Sequence, residues 1–322
     1  MNLVIKGPDG RDFMQTNDFT LSLQYGEVNN FELSLPDAIE PLSMVYIDGT
    51  PYGGMVDKRC PRSGLEGETI VYKGRSMQGV LESQILMPPA GATHFTASGD
   101  ANEAIATVIE RTGLGDVFEA EASPCGIELD NYRFYRFSDA YSGLRMMLMS
   151  VGMRLSISCR QGKHVLSAVP CKTFGRIDSE KVFFQLDCED LPVNCLVGLG
   201  KGTGTARAVS VWYANLLGEV SQRQTLFGAL ENAKTFQSTS DDASTLPAKA
   251  KAKLLEYQKK SSAKVTLPED AELDVGDFID VSSAKYNILA TTQVIGVAIK
   301  ANRGNVEVSY DFGMPVFPVE ED

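Results

Sequence analysis

The chain has 322 residues, 43% of them hydrophobic and 22% charged, which is enough apolar material for about two or three domains. A formal net charge of −12 argues against a surface that grips nucleic-acid phosphates, which needs clustered Lys and Arg to displace counterions. No stretch approaches the roughly 18 uninterrupted apolar residues of a membrane span, and the opening MNLVIKGPDGRDF lacks the apolar run of a secretory leader, so a cytoplasmic origin without membrane insertion is expected.

The first elements read as β-structure. Phe19, Leu21, Leu23 and Tyr25 alternate with polar residues, as do Phe31, Leu33 and Leu35, and period two puts each set on one buried face. Residues 26–30 between them carry the Gly and Asn that turns favour. Residues 44–47, then Asp48-Gly49, then residues 51–56 form a hairpin pattern. A further strand is expected at 68–74. Together these suggest a small barrel or sandwich over residues 1–95.

Helical spacing then takes over. Asp100 and Glu103 make a capping-box-like start, Ala101, Ala104, Ile105, Val108 and Ile109 form a stripe, and Gly113 suits the stop. A second helix is expected over 138–151 on Tyr141, Leu144, Met147, Leu148 and Val151. Directly after it, a two-residue turn at Gln161-Gly162 would set Cys159 opposite His164, Ile157 opposite Leu166 and Leu155 opposite Ala168. Residues 96–185 therefore read as an α+β domain.

Residues 186–322 return to β. Strands are expected at 193–199 and 208–214, followed by a polar, irregular stretch at 225–246. A helix then runs over 247–260, with Pro247 at its first position and Ala250, Leu254 and Tyr257 on one face. Another β run opens at 273–279, and 294–299 with 306–312 forms a closing hairpin. The tail Glu320-Glu321-Asp322 is expected to be disordered. The fold class is thus mainly β with an α+β middle domain: two small β-barrel domains, at 1–95 and 186–322, the second with a helical insertion around 225–262.

Candidate chemistry resolves into structural readings. The six cysteines include no CxxC pair and are read as buried thiols. His94 sits in a Gly/Ala/Thr-rich connector, and His164 faces only Cys159, short of the three or four ligands a zinc site gathers. Gly74-Arg75-Ser76-Met77-Gln78-Gly79 misses the GxSxG elbow by one place. Gly198-Leu199-Gly200-Lys201-Gly202-Thr203-Gly204 fails as a phosphate loop, since Gly202 follows the Lys. The acidic run at 269–276 lacks the closing Glu of a calcium loop. Asp187, Glu189 and Asp190 are the acids a glycosidase would draw on, and Lys249, Lys251, Lys253, Lys259 and Lys260 make a solvated helix face. No catalytic, cofactor-binding or metal residue is assigned, and no cofactor is expected.

Several segments in order resemble the hub proteins of phage tails and related contractile machines. They are FTLSLQYGEVNNFELSLP, VYIDGTPYGGMVDKR and IVYKGRSMQGVLESQIL; then ATVIERTGL and LRMMLMSVGMRLSISCRQGKHVL; then VNCLVGLGKG, LDVGDFIDVSS and VIGVAIKANRGNVEVSYDFG. The order covers nearly the whole chain and is similar to the hubs of Bacillus-type contractile prophage tails. It also resembles, more distantly, the late control protein D family and the spike–hub proteins of type VI secretion. The resemblance implies a non-enzymatic homotrimer in a phage or phage-like tail, contacting tail tube, spike or tip, baseplate wedge and tape measure proteins. It further implies two alike barrels per subunit, so that three copies present a pseudo-sixfold ring to a hexameric tube. An acidic bore in such a ring would let DNA pass without specific binding. Two other readings are a tail-associated cell-wall hydrolase using Asp187 and Glu189, and a β-sandwich adhesin, for which Trp212 is the only tryptophan available.

Overall fold

The structure is a computed structural model that describes residues 1–64, 67–160, 162–175, 183–187, 191–215, 220–258, 262–266, 272–283, 285, 288–302, 305–313 and 315–316. Its contacts gather into two compact units. One is Met1–Val182 with Leu267–Phe312, the other Phe183–Thr266 with Gly313–Asp322.

The first unit opens with β1 (Leu3–Lys6) and β2 (Asp12–Thr16), an antiparallel pair. Sequence reading passed over both, because β1 is a short apolar run and β2 is mostly exposed. β3 (Thr20–Tyr25) and β4 (Asn30–Ser34) bury Leu21, Leu23, Phe31 and Leu33 as their alternation predicts. β5 (Met44–Tyr46) pairs with β6 (Gly53–Gly64) around Gly49 at a φ of 75°. β6 in turn pairs with β7 (Gly67–Ser76), whose last residue caps the short helix α1 (Met77–Glu82).

The helical middle follows its sequence signals closely. β8 (Thr96–Asp100) runs into α2 (Ala101–Thr112), which starts on the Asp100 side chain and ends at Gly113 with a left-handed φ of 70°. After β9 (Phe118–Ala120) and β10 (Glu128–Arg133) comes α3 (Ala140–Met149), capped by Asp139 rather than starting at Ser138. β11 (Met153–Arg160) and β12 (Lys163–Pro170) form the expected hairpin in the expected register, with Cys159 opposite His164. β13 (Thr173–Phe174) ends this stretch.

In the second unit β14 (Phe183–Asp187) pairs with β19, which is reached only after β15 (Cys195–Leu199), β16 (Val209–Ala214), β17 (Val220–Ser221), β18 (Ala233–Gln237) and α4 (Leu246–Gln258); β19 itself is Ser262–Thr266. The order β17-β16-β15-β18 includes a parallel β15–β18 pair. β18 lies inside the stretch expected to be irregular. α4 begins one residue before Pro247, and its Leu254 joins Val193, Leu196 and Ala214 in a small core.

The chain then returns to the first unit with β20 (Phe278–Ser283), β21 (Ile288–Asn302) and β22 (Asn305–Phe312). β20 starts later than the strand expected at 273–279, and 294–302 with 305–312 forms the closing hairpin. β21 also pairs with β3, giving the order β13-β20-β21-β3-β4-β7-β6-β5-β1-β2, with β22 on β21. Among the described residues its two ends are open, which corrects the expectation of closed barrels, while the mainly-β class with a helical middle stands. The division into units also differs from three consecutive segments. Val4, Met44 and Tyr46 share one hydrophobic core with Ile105, Leu144 and Leu166, across residue 95. Alternation tells which face of a strand is buried, and it leaves open which edge finds which partner.

Candidate assembly surface

β6 and β7 outrun their neighbours. Pairing of β4 with β7 ends at Ser34 opposite Val71, and pairing of β5 with β6 ends at Met44 opposite Met55. From Pro61↔Ile70 to Gly64↔Gly67 the two strands pair, among the described residues, only with each other, a two-stranded arm. A bulge between Val56 and Lys58 turns it. Gly74 sits opposite that bulge, where a Cβ would lie 1.8 Å from the Met55 carbonyl oxygen, so only glycine fits. The Asp57 carboxylate takes both Nε and Nη2 of Arg75 at 2.9 and 2.8 Å, a two-pronged clamp at the base of the arm. Lys58, Arg59 and Arg62 are left as cations without an ion pair among the described residues.

Beside the arm lies a groove of about 1080 Å³ whose walls include Phe19, Leu35, Pro36, Pro61 and Val71, with Asp18 and Arg62 at its polar margin. Its floor is set by period-two burial, since Phe19 and Leu35 close the inward faces of the strands around it.

A second surface feature follows α1. The chain at 84–87 bridges to 138–140: Leu86 N–H donates to the Ser138 carbonyl at 2.9 Å, and Ala140 N–H to that of Gln84 at 2.8 Å. Arg111 fixes the same strip by donating Nε and Nη2 to the Met87 carbonyl at 3.0 and 2.7 Å. This rigid patch turns four large apolar side chains to solvent: Ile85 (49% exposed), Met87 (54%), Tyr135 (70%) and Phe137 (51%). Phe137 holds a left-handed φ of 60°, an outlier for a bulky residue, with the Arg136 guanidinium 4.8 Å from its ring centre. Clustered Tyr, Phe, Met and Arg is the composition of the energetic centre of protein interfaces.

Two polar sites are buried. Arg154 donates Nε to Asp277 at 2.8 Å and Nη1 to Asp274 at 3.0 Å, and Lys172 N–H also reaches Asp277. Gly276, at φ 104°, lets the loop close on Arg154. Burial holds the Asp274 carboxyl above its ordinary range against the pull of Arg154. His164 is fully buried between the rings of Tyr46 and Phe118, and neither ring nitrogen has a hydrogen-bond partner among the described residues. Burial, aided by Lys6, pushes its pKa down to about 4. Burial likewise pushes the neighbouring Cys159 thiol up to about 12, leaving it inert at neutral pH.

The residues weighed from sequence for chemistry are scattered or structurally engaged. His94 is exposed, with Nδ1 3.3 Å from the Phe134 carbonyl oxygen. Ser76 is a helix cap whose Oγ accepts from Gly79 N–H, and the six-residue α1 after it is no hydrolase elbow. The glycine-rich run is the β15 end and a turn, with Gly200 N–H on the Ala208 carbonyl and Lys201 N–H on that of Asp241. Lys249 pairs with Asp241, Lys253 pairs with Glu256, and Lys251 covers the Trp212 ring. Asp187 lies on β14, while Glu189, Asp190, Lys259, Lys260, residues 269–271, Cys188 and the Glu320–Asp322 tail lie outside the described residues. Cys60, Cys125, Cys159, Cys171 and Cys195 are free thiols. Sequence reading missed the Ile85–Phe137 patch, although Tyr132-Arg133-Phe134-Tyr135-Arg136-Phe137 offered a signal: more aromatics than one buried face of a strand can take.

No family model and no curated protein matches the chain. Solved structures similar to it include a tail protein from Neisseria meningitidis MC58, at 15% identity and a TM-score of 0.48 over 97% of this chain and 95% of that one. Prophage tail protein gp18 from Listeria monocytogenes EGD-e is similar at 12% identity and a TM-score of 0.49, over 97% and 94%. A chain of the phage P2 baseplate in its activated conformation is similar at 13% identity and a TM-score of 0.46, over 97% and 98%.

Proposed function

We propose that the chain is a non-enzymatic structural component of a phage-type tail, placed at the baseplate hub and assembled there as a homotrimer with tail tube, spike and wedge proteins. The observation that carries this reading is the rigid, exposed aromatic patch at Ile85, Met87, Tyr135 and Phe137, a surface suited to burial against protein. The ordered segments quoted above support placing that contact in a tail. The pseudo-sixfold ring is not part of the support, because the two units differ. The first carries the long mixed order around β3 and β21, the second a four-stranded sheet with a parallel pair.

Immunogold labelling of tail particles purified from producing cells tests the reading, with label expected at the distal end of the tail. Tails that lack the chain, or label spread along the tube, would remove it. A muralytic zymogram of the purified chain tests the hydrolase alternative; clearing would show that a structural role is insufficient.

A further inference from the structure

We propose that His164 is the pin of an acid-opened clasp, in which its protonation frees the β5–β6 turn from the end of the β11–β12 hairpin while both hairpins stay paired. The device is independent of the assembly reading.

The clasp is a short seam between two hairpin tips. Gly49 N–H donates to the Cys159 carbonyl and Cys159 N–H to that of Thr50, both at 2.9 Å. From β1, Lys6 Nζ donates to the carbonyl of Gly162, between β11 and β12, at 3.1 Å. Asp48 and Gly49 are exposed and Thr50 is half-buried, so the seam lies at the surface. Parting it breaks no rung of either ladder: β5 keeps its pairs with β6, and β11 keeps its pairs with β12. Openings of this small kind are the cheapest motions a folded chain makes.

His164 sits inside the seam. Its fully buried ring lies edge-on to Tyr46 on β5 and Phe118 on β9, with centroids 6.0 and 6.1 Å away. Neither nitrogen has a hydrogen-bond partner among the described residues. A Cβ on Gly162 would lie 2.8 Å from the Tyr46 hydroxyl, so Tyr46 packs directly against the β11–β12 turn. Because Tyr46 leads into the 47–50 turn, a parted seam admits water to the imidazole from that side.

The charged and titratable groups around the ring give an imidazolium no support. Lys6 on β1 adds a like charge, its Nζ 5.9 Å from the Tyr46 ring centre. Asp12 on β2 accepts from Tyr46 Oη at 3.2 Å, and Asp48 in the turn faces the Cys159 thiol on β11. Lys163 on β12 donates to the Gly115 and Asp116 carbonyls, Arg160 on β11 pairs with Glu121, and Glu119 on β9 is exposed. Burial and Lys6 thus hold the closed form's pKa at about 4, against 6.5 for a solvated imidazole. The open form takes up a proton below about pH 6.5 that the closed form refuses, so opening should become about twentyfold more frequent from pH 7 to pH 5.

Cys159, buried in the seam, reports the opening. The full chain is labelled with dithiodipyridine, which reacts with thiols in acid, and the product at Cys159 is read by peptide mass mapping. Dividing the rate for the urea-unfolded chain by the native rate at the same pH gives the protection. Protection should fall about twentyfold from pH 7 to pH 5. It should also stay flat up to about 1 M urea, because a local opening exposes little surface while global unfolding follows its full slope. His164→Leu and the polar His164→Gln, neither of which titrates, should both remove the pH dependence. Protection that ignores pH, that falls equally in the variants, or that drops with urea along the global slope would overturn the clasp.

Discussion

His164 shows what a single residue costs the fold. Its ring is fully buried and its nitrogens have no hydrogen-bond partner among the described residues, so the folded chain holds the neutral form, with a pKa pushed down to about 4 by burial and Lys6. The groups that face it are Lys6 on β1, Tyr46 on β5, Phe118 on β9 and Cys159 on β11. The unfolded chain takes up its proton near 6.5, so below that pH it binds more protons than the folded chain. Stability is therefore full above about 6.5, falls as pH drops towards 4, and loses about 3 kcal/mol over that window. Urea unfolding of the wild type at steps from pH 7.5 to 4 should show this slope, and His164→Leu should flatten it. An equal slope in both would place the acid sensitivity elsewhere. The register that buries His164 opposite Cys159 was legible in the sequence, because the two halves of the hairpin alternate in phase. That its nitrogens would find no partner among the described residues was not, because the ring is enclosed by Tyr46 and Phe118, which arrive from distant strands.

Among the elements, the β6–β7 arm presents a long edge to solvent, yet that edge is guarded. Pro61 has no N–H to offer a passing strand, Lys58 and Arg59 place like charges along it, and the bulge at Val56/Lys58 turns it aside. These are the devices by which natural sheets avoid sticking edge to edge. The double variant Lys58→Thr with Pro61→Thr should keep the wild-type melting temperature within about 0.5 kcal/mol of stability while light scattering on warming rises well above wild type. Unchanged scattering would mean that the arm is protected by something other than these residues. Elements whose signals are local were readable in advance: α2 between Asp100 and Gly113, the β5–β6 hairpin at Asp48-Gly49, and the β21–β22 pair. β18 was not, because its five residues are largely exposed and become a strand by lying parallel to β15. Nor was the partner of β3, since two half-buried strands of equal pattern offer the same edge to any third.

For the molecule as a whole, two units with separate cores predict two steps of unfolding. Leu144 belongs to the core shared by β1, β5 and the middle helices, and Leu254 to the small core under α4. Truncating either fully buried leucine to alanine costs about 2–5 kcal/mol. Differential scanning calorimetry should then show Leu254→Ala lowering one transition and Leu144→Ala the other. A single transition shifted equally by both would mean that the units fold as one cooperative body.

The pairing of β3 with β21 sets a timetable for the nascent chain. Leu23 meets Ile299, so the ribosome must add the intervening polypeptide, at about 5–20 residues per second, before that seam can zip. For some tens of seconds the emerging strand therefore has one flank uncovered, and a message cut short before Asn302 would yield a product with that flank exposed for good. Quality control in the producing cell would meet such fragments as clients for chaperones, and the completed polypeptide would not present that target.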